Sequence, residues 1–222
     1  MSGNTDQVLD TLAEQKTHLA LIEGPALRKD IHLEPFMEDF LVLVVPADHK
    51  WANREIDPDA LKDAPLLVRE FGSGSRRVVE NALTQAGLKK KELKARMEFD
   101  STEGLLSAVE AGLGVTFISR WAVRNQLTLG TLKLARVRGV TFSRMFSMAY
   151  PTGPEPIGNA GSFRSFLLAH ALDLAPRATG KAAKNSPDAA PVKKSTAENS
   201  AVKESHAPNR SQARAMSARN ST

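Results

Sequence analysis

Cysteine is absent from this 222-residue chain. That excludes disulfide scaffolds, thiolate metal sites and cysteine nucleophiles together. Long apolar runs are also missing. The longest, Phe40 to Val45, is far too short to cross a bilayer. The opening Met1-Ser-Gly-Asn-Thr-Asp-Gln has no apolar stretch and does not read as a secretory signal. Catalytic signatures are lacking too. His18, His32, His49, His170 and His206 form no HExxH or other metal-ligand spacing. Gly72-Ser73-Gly74-Ser75-Arg76 breaks the Gly-x-Ser-x-Gly elbow at its last position. No Gly-Lys-Ser/Thr follows a glycine-rich turn, so there is no Walker loop. Glu23, Glu34, Glu38 and Asp39 read as a solvated acidic face rather than an acid/base pair. These absences predict a soluble, cytoplasmic, non-enzymatic protein with no metal, no cofactor and no membrane partner.

What is present is enough hydrophobic residue, 41%, to bury a core. The net charge of +5 is unevenly spread. Residues 1–175 hold 21 basic and 22 acidic side chains, whereas residues 176–222 hold 9 and 3. The high pI therefore describes an appendage and is not a sign of a nucleic-acid-binding fold. After Leu174 the chain has no Phe, Tyr, Trp, Leu or Ile. A segment of that kind cannot bury enough surface to offset chain entropy, so residues 175–222 are expected to be a disordered basic tail.

Before the tail, apolar runs alternate with helical periodicities. Asp6 to Glu14 reads as a helix capped by Asn4 or Thr5. Leu19 to Ile22 has the continuous apolar character of a buried parallel strand. Asp39 to Pro46 is a second strand. Asp57-Pro58 reads as an N-cap with proline at the first helical position, bringing Leu61 inward. Leu66 to Val68 is a strand, followed by a helix that places Val78, Val79, Ala82, Leu83 and Ala86 on one face and ends at Gly87. Arg96 to Phe99 is a strand. Asp100 to Ala111 is a helix with Asp100 and Glu103 at capping-box spacing. Val115 to Ser119 and Arg144 to Tyr150 are further strands. Ser162 to Leu172 is a last helix with a Phe163, Phe166, Leu167, His170 stripe. Repeated strand–helix units predict an α/β architecture with parallel sheets, long enough for two small sheets.

Such sheets bind ligands beyond the strand C-termini, where helix N-termini point. Two loops fit. Gly72-Ser73-Gly74-Ser75-Arg76 opens a helix with glycines that admit a close ligand, hydroxyls on Ser73 and Ser75, and a cation at Arg76 or Arg77. Asp100-Ser101-Thr102-Glu103 opens the next. Serine and glycine at a helix start also serve simply as cap and turn, so each loop alone is a weak signal. Three charge-assisted hydrogen bonds would supply roughly 5–9 kcal/mol gross. Association costs about 4 kcal/mol or more. The difference suits a metabolite sensor with dissociation constants on the order of micromolar to millimolar.

The combination resembles the effector-binding domain of LysR-type transcriptional regulators. The segment Gly3 to Leu9 followed by His18-Leu-Ala-Leu-Ile-Glu-Gly-Pro25 is similar to that family's helix and "D-L-A-L-V-E-G" strand, with His18 in place of Asp. Leu41 to His49 resembles its crossing strand and following loop, with Lys50-Trp51-Ala52 in place of Pro-Leu-Ala. Arg69-Glu-Phe-Gly-Ser-Gly-Ser-Arg76 is similar to "R-E-x-G-S-G-T/S-R". Val109-Glu-Ala-Gly-Leu-Gly-Val115 with Ile118-Ser119 is similar to "V-x-A-G-L-G-I-x-x-L-S/P". The likeness covers about residues 3–173.

It implies two Rossmann-like subdomains of periplasmic-binding-protein type II architecture joined by two crossing strands, near Phe40 to Val45 and Phe146 to Tyr150. Subdomain I would be residues 1–41 and 147–174, with its first strands preceding Met1. Subdomain II would be residues 42–146. A small anionic effector is expected in the cleft between Asn4 and Thr5 on one side and Ser73, Gly74, Ser75, Arg76, Ser101 and Thr102 on the other. The family acts as a homo-oligomer and reaches promoter DNA through an N-terminal winged helix-turn-helix that is expected upstream of this chain. Two other readings of the same fold remain open: a solute-binding receptor, and an enzyme with an anionic substrate at the Gly-Ser loop.

Overall fold

A computed structural model describes residues 2–26 and 28–174. The tail expected to be disordered lies outside the described residues. The strands are β1 Ala20–Glu23, β2 Ile31–Pro46, β3 Glu55–Ile56, β4 Leu66–Arg69, β5 Ala95–Phe99, β6 Thr116–Ser119, β7 Leu132–Val137 and β8 Ser143–Pro151. The α-helices are α1 Thr5–Ala13, α2 Gly74–Gln85, α3 Thr102–Glu110, α4 Arg124–Leu129 and α5 Gly158–Leu174.

β2 organises the molecule. From Ile31 to Phe40 it pairs antiparallel with β8, and from Leu41 to Pro46 it pairs with β6 and β7 instead. A register shift falls between Pro35 and Met37, where proline has no N–H to give the ladder. The apolar run beyond Phe40 is explained by burial on both faces. Leu41, Leu43 and Val45 enter one core with Leu61, Leu83 and Phe117, while Val44 enters another with Leu67, Leu105 and Val109. Side chains alternate across a strand, so a continuous run is required when neither face meets water. Each such aliphatic contributes about 1.5–3 kcal/mol by leaving water.

A third, smaller core holds Leu9 and Leu12 of α1 against Ile22, Ile31 and Ala149. β1 is the terminal strand of its sheet, ordered β1-β8-β2-β7-β3, and Leu21 remains 47% exposed.

The apolar run at Leu19 to Ile22 predicts a parallel partner, but β1 runs antiparallel to β8. An apolar run reports burial and not direction. The partner here is a long return strand lying beside β2. Among the described residues parallel pairing is confined to β4 with β5, β3 with β7, and a single bridge from Leu66 to Val115. Residues 58–63 form a 3-10 turn that buries Leu61 completely. The Asp57 side chain does not cap it and binds Arg138 instead. Helix α4 and strands β3 and β7 have no counterpart in the sequence reading. The stripe on α5 is largely exposed, with Phe163 at 43% and Phe166 at 55%; only Leu167 of its apolar members is buried. That helix is fastened instead by Arg164, whose Nε and Nη2 donate to the two carboxylate oxygens of Glu34 at 2.6 and 2.8 Å.

Candidate functional site

Three helix starts converge on one hollow. At α1 the Asn4 Oδ1 accepts from the Gln7 N–H at 3.1 Å, and Gln7 Oε1 accepts from the Asn4 N–H at 3.0 Å. This reciprocal capping box satisfies two orphan donors and fixes the entry to the helix. Thr5, next along, is buried. At α2, Gly72 takes φ +90, a left-handed conformation that glycine adopts without strain. Ser73 follows at the N-cap position, 3% exposed, without capping the helix through its side chain. At α3 the cap is Ser101 rather than Asp100, its Oγ accepting from the Gly104 N–H at 3.1 Å. The shorter hydroxyl reaches the third helical N–H directly.

Asn4, Thr5, Ser73, Gly74, Ser75, Ser101 and Thr102 line this single hollow of about 810 Å³. Of the eight residues expected in the cleft, Arg76 alone is not among its walls. The Arg76 guanidinium donates from Nε to Glu80 at 2.8 Å and from Nη1 to Glu98 at 2.6 Å and the Arg69 carbonyl at 3.0 Å. Burial works against the charge of Glu80 and is outweighed by Lys90 and Arg76, so its carboxyl stays below the ordinary range. Arg76 is thus consumed by the outer face of α2, facing a separate apolar hollow beside Val79 and Leu93.

The first hollow's cation is Arg69, at the end of β4. Its Nε and Nη2 donate to Glu70 at 2.8 and 3.1 Å, its Nη1 to Thr102 Oγ1 at 3.1 Å, and Nη2 also to the Asp100 carbonyl at 3.2 Å. One guanidinium thereby ties the start of α3 to the strand that leads into α2. A second guanidinium was not anticipated at all. Arg144 on β8 is buried, with Nε and Nη2 both 2.7 Å from Asp39 Oδ2. Its Nη1 donates to Ser75 Oγ at 2.7 Å and lies 3.0 Å from Glu23 Oε2. Asp39 Oδ1 accepts from Ser119 Oγ at 2.9 Å.

The acidic residues predicted to form a solvated face are therefore divided. Asp39 is 1% exposed, Glu34 belongs to Arg164, and Glu38 alone of the four is an exposed carboxylate without a described ion pair. A charge on an otherwise apolar strand, as at Asp39 and Arg144, was the available signal, since a buried charge requires a partner. A further hollow of about 550 Å³ shares Glu23, Arg69, Ser75 and Thr102 with the first and adds Arg144, Arg124 and Asn125.

Contacts between the α2 segment and the elements α1 and β1 are close. A Cβ on Gly74 would meet the Glu23 carbonyl oxygen and stand 2.7 Å from Thr5 Oγ1. Arg77 Nη2 donates to Asp6 Oδ1 at 2.6 Å, and Asn4 Nδ2 to the Phe71 carbonyl at 3.4 Å. Among the described residues no cluster of His, Asp and Glu could hold a metal ion, and no helix is long and apolar enough to cross a membrane.

Residues 1–172 match the family described as LysR substrate binding domain. The RuBisCO operon transcriptional regulator of Acidithiobacillus ferrooxidans is 33% identical over 172 residues, 77% of this chain and 55% of that protein. The chain spans about half the length of the curated relatives it matches. The Synechocystis PCC6803 CcmR regulatory domain in complex with 2-PG superposes with a TM-score of 0.69 at 22% identity, covering 78% of this chain and 82% of that one. The effector binding domain of QuiR in complex with shikimate gives 0.67 at 19% identity, covering 78% and 81%.

Proposed function

The chain belongs to the LysR family of transcriptional regulators through its substrate-binding domain, and on that premise we propose that it senses a small anionic metabolite in the hollow between α1, α2 and α3. The observation that carries this reading is the shared hollow itself. Seven hydroxyl, amide or glycine positions from three helix starts face one space of metabolite size. Helix N-termini carry partial positive charge and unpaired N–H groups suited to an acidic ligand. The fold supports the same reading, because it is that of domains solved with 2-PG and shikimate.

The two halves that close on the ligand divide at β2 and β8. β2 changes partners between Phe40 and Leu41. β8 lies beside β2 from Ser143 onward, which supports a second crossing along this strand. On this reading subdomain I is residues 1–41 and 147–174, and subdomain II residues 42–146. Effector binding favours one relative pose of the halves, a population shift rather than chemistry. The readout is transcriptional, through homo-oligomers that hold promoter DNA by a part of the regulator other than residues 1–174, in the cytoplasm. A receptor or enzyme role is not favoured, since the relatives are named as transcriptional regulators.

Isothermal titration with 2-PG, shikimate and related small acids tests the proposal. Ser75→Ala combined with Ser101→Ala removes two hydroxyls from the hollow. Binding should weaken by about 2–4 kcal/mol, near 1–2 per hydroxyl left unmatched. Undiminished affinity would place the ligand elsewhere.

A further inference from the structure

The two edges of Arg144 have unlike partners. Nε and Nη2 are held by Asp39, whose side chain is wholly buried. Nη1 reaches Ser75 and Glu23, and the Glu23 side chain is 58% exposed although the guanidinium it touches is 2% exposed. Glu23 ends a four-residue strand and precedes Gly24 at φ +117, and its side chain is exposed rather than packed in a core. Glu23 and Ser75 both line the 810 Å³ hollow and the 550 Å³ hollow that shares part of its wall. A buried, desolvated donor edge is thus covered by a carboxylate that remains largely in water.

The charges around this point decide where an acid could bind. Glu23, Glu70, Asp100 and Glu103 line the larger hollow with Arg69 as its cation. The smaller one has Arg69, Arg124 and Arg144 against Glu23 and Glu103. An acidic group entering the larger hollow meets a repulsive wall, which withdrawal of Glu23 lessens at the point nearest Arg144. Withdrawal exposes the Arg144 Nη1 edge and the Ser75 hydroxyl together. Glu23 regains full hydration when it is displaced, which partly offsets the lost ion pair, while the incoming anion remakes the charge-assisted bonds to Arg144 and Ser75.

We propose that Glu23 is a built-in competitor for the effector: its carboxylate occupies the position against Arg144 and Ser75 that the carboxylate or phosphate of the effector takes, and binding displaces it into water. This rests on the hollow being the effector site. It makes the site selective for anions, because a neutral ligand cannot replace the charge that Glu23 withdraws from Arg144. A clamp role for the same ion pair would have the opposite sign, since losing a clamp weakens binding.

The test is titration of the whole chain with inorganic phosphate and with 2-PG, at fixed ionic strength, for the unaltered protein and for E23Q, E23A and S75A. The exposed Glu23 side chain can be replaced without loss of fold, which circular dichroism checks. E23Q and E23A should bind the anions roughly three- to tenfold tighter, equivalent to about 0.7–1.4 kcal/mol, while S75A binds them more weakly. Equal or weaker binding by both Glu23 variants, with S75A still weakened, overturns the competitor role and leaves the site. Binding that S75A does not affect, or no binding to any of the four proteins, overturns the site and the competitor role together.

Discussion

Gly74→Ala adds one methyl group where α2 begins, at the closest approach between α2 and the end of β1. The backbone φ of Gly74 is not in the left-handed region, so alanine is conformationally acceptable there. Helix propensity alone would favour the change by up to about 1 kcal/mol. Space opposes it. The new Cβ would overlap the Glu23 carbonyl oxygen and stand 2.7 Å from Thr5 Oγ1. Ordinary contact distances require the two elements to part by about 1 Å. Overpacking of this kind costs about 1–3 kcal/mol, which exceeds the propensity gain. With the full propensity gain set against it the net loss is up to about 2 kcal/mol, so for a domain of this size the melting temperature should fall by up to roughly 8 °C. The same displacement draws Ser75 from Arg144, now 2.7 Å away, and should weaken effector binding about tenfold. Asn81→Ala, at an exposed position in the same helix, is the control without the clash. Calorimetry and isothermal titration read both quantities. An unchanged melting temperature with unchanged affinity would refute the closeness on which the site depends.

Arg144→Ala should destabilise the protein by about 3–5 kcal/mol, because it leaves the buried Asp39 carboxylate without its partner. Asp39→Leu with Arg144→Met should cost less than that single change, as chemical denaturation of both variants would show. Arg76→Ala should leave effector affinity within about twofold in titration and cost on the order of 1 kcal/mol of stability, its charge being spent on Glu80 and Glu98. The Arg164 guanidinium, with burial opposing, holds Glu34 below the ordinary glutamate value of 4.5. The stability this supplies is fully present above that value and is lost as pH falls through the lowered one. Glu34→Gln should therefore melt lower than the parent at pH 7, and the two curves should converge in acid.

Most elements were legible because burial leaves a period. The run Leu41 to Val45 is apolar because both its faces are covered, and the α2 face of Val78 and Leu83 follows the helical repeat. Direction of pairing was not legible, since β1 and a parallel strand would look alike. The region between Ser119 and Arg144 went unread although Leu132, Leu134 and Gly130 mark a strand after a left-handed stop at φ +80. At the site, hydroxyls at helix starts were visible as local patterns. Arg69, Arg144, Glu23 and Asp39 were not, because their pairings join positions up to 105 residues apart. The pairing of Arg76 with Glu98 was hidden for the same reason, since Glu98 lies on β5.

Backbone amide NMR during titration with the effector tests the central claim most directly. Binding in the shared hollow should move the N–H signals of Gly74, Ser75, Ser101 and Thr102 first and furthest, with Asn4 and Thr5 following as the halves close. Shifts gathered instead around Val79, Leu93 and the outer face of α2 would contradict it.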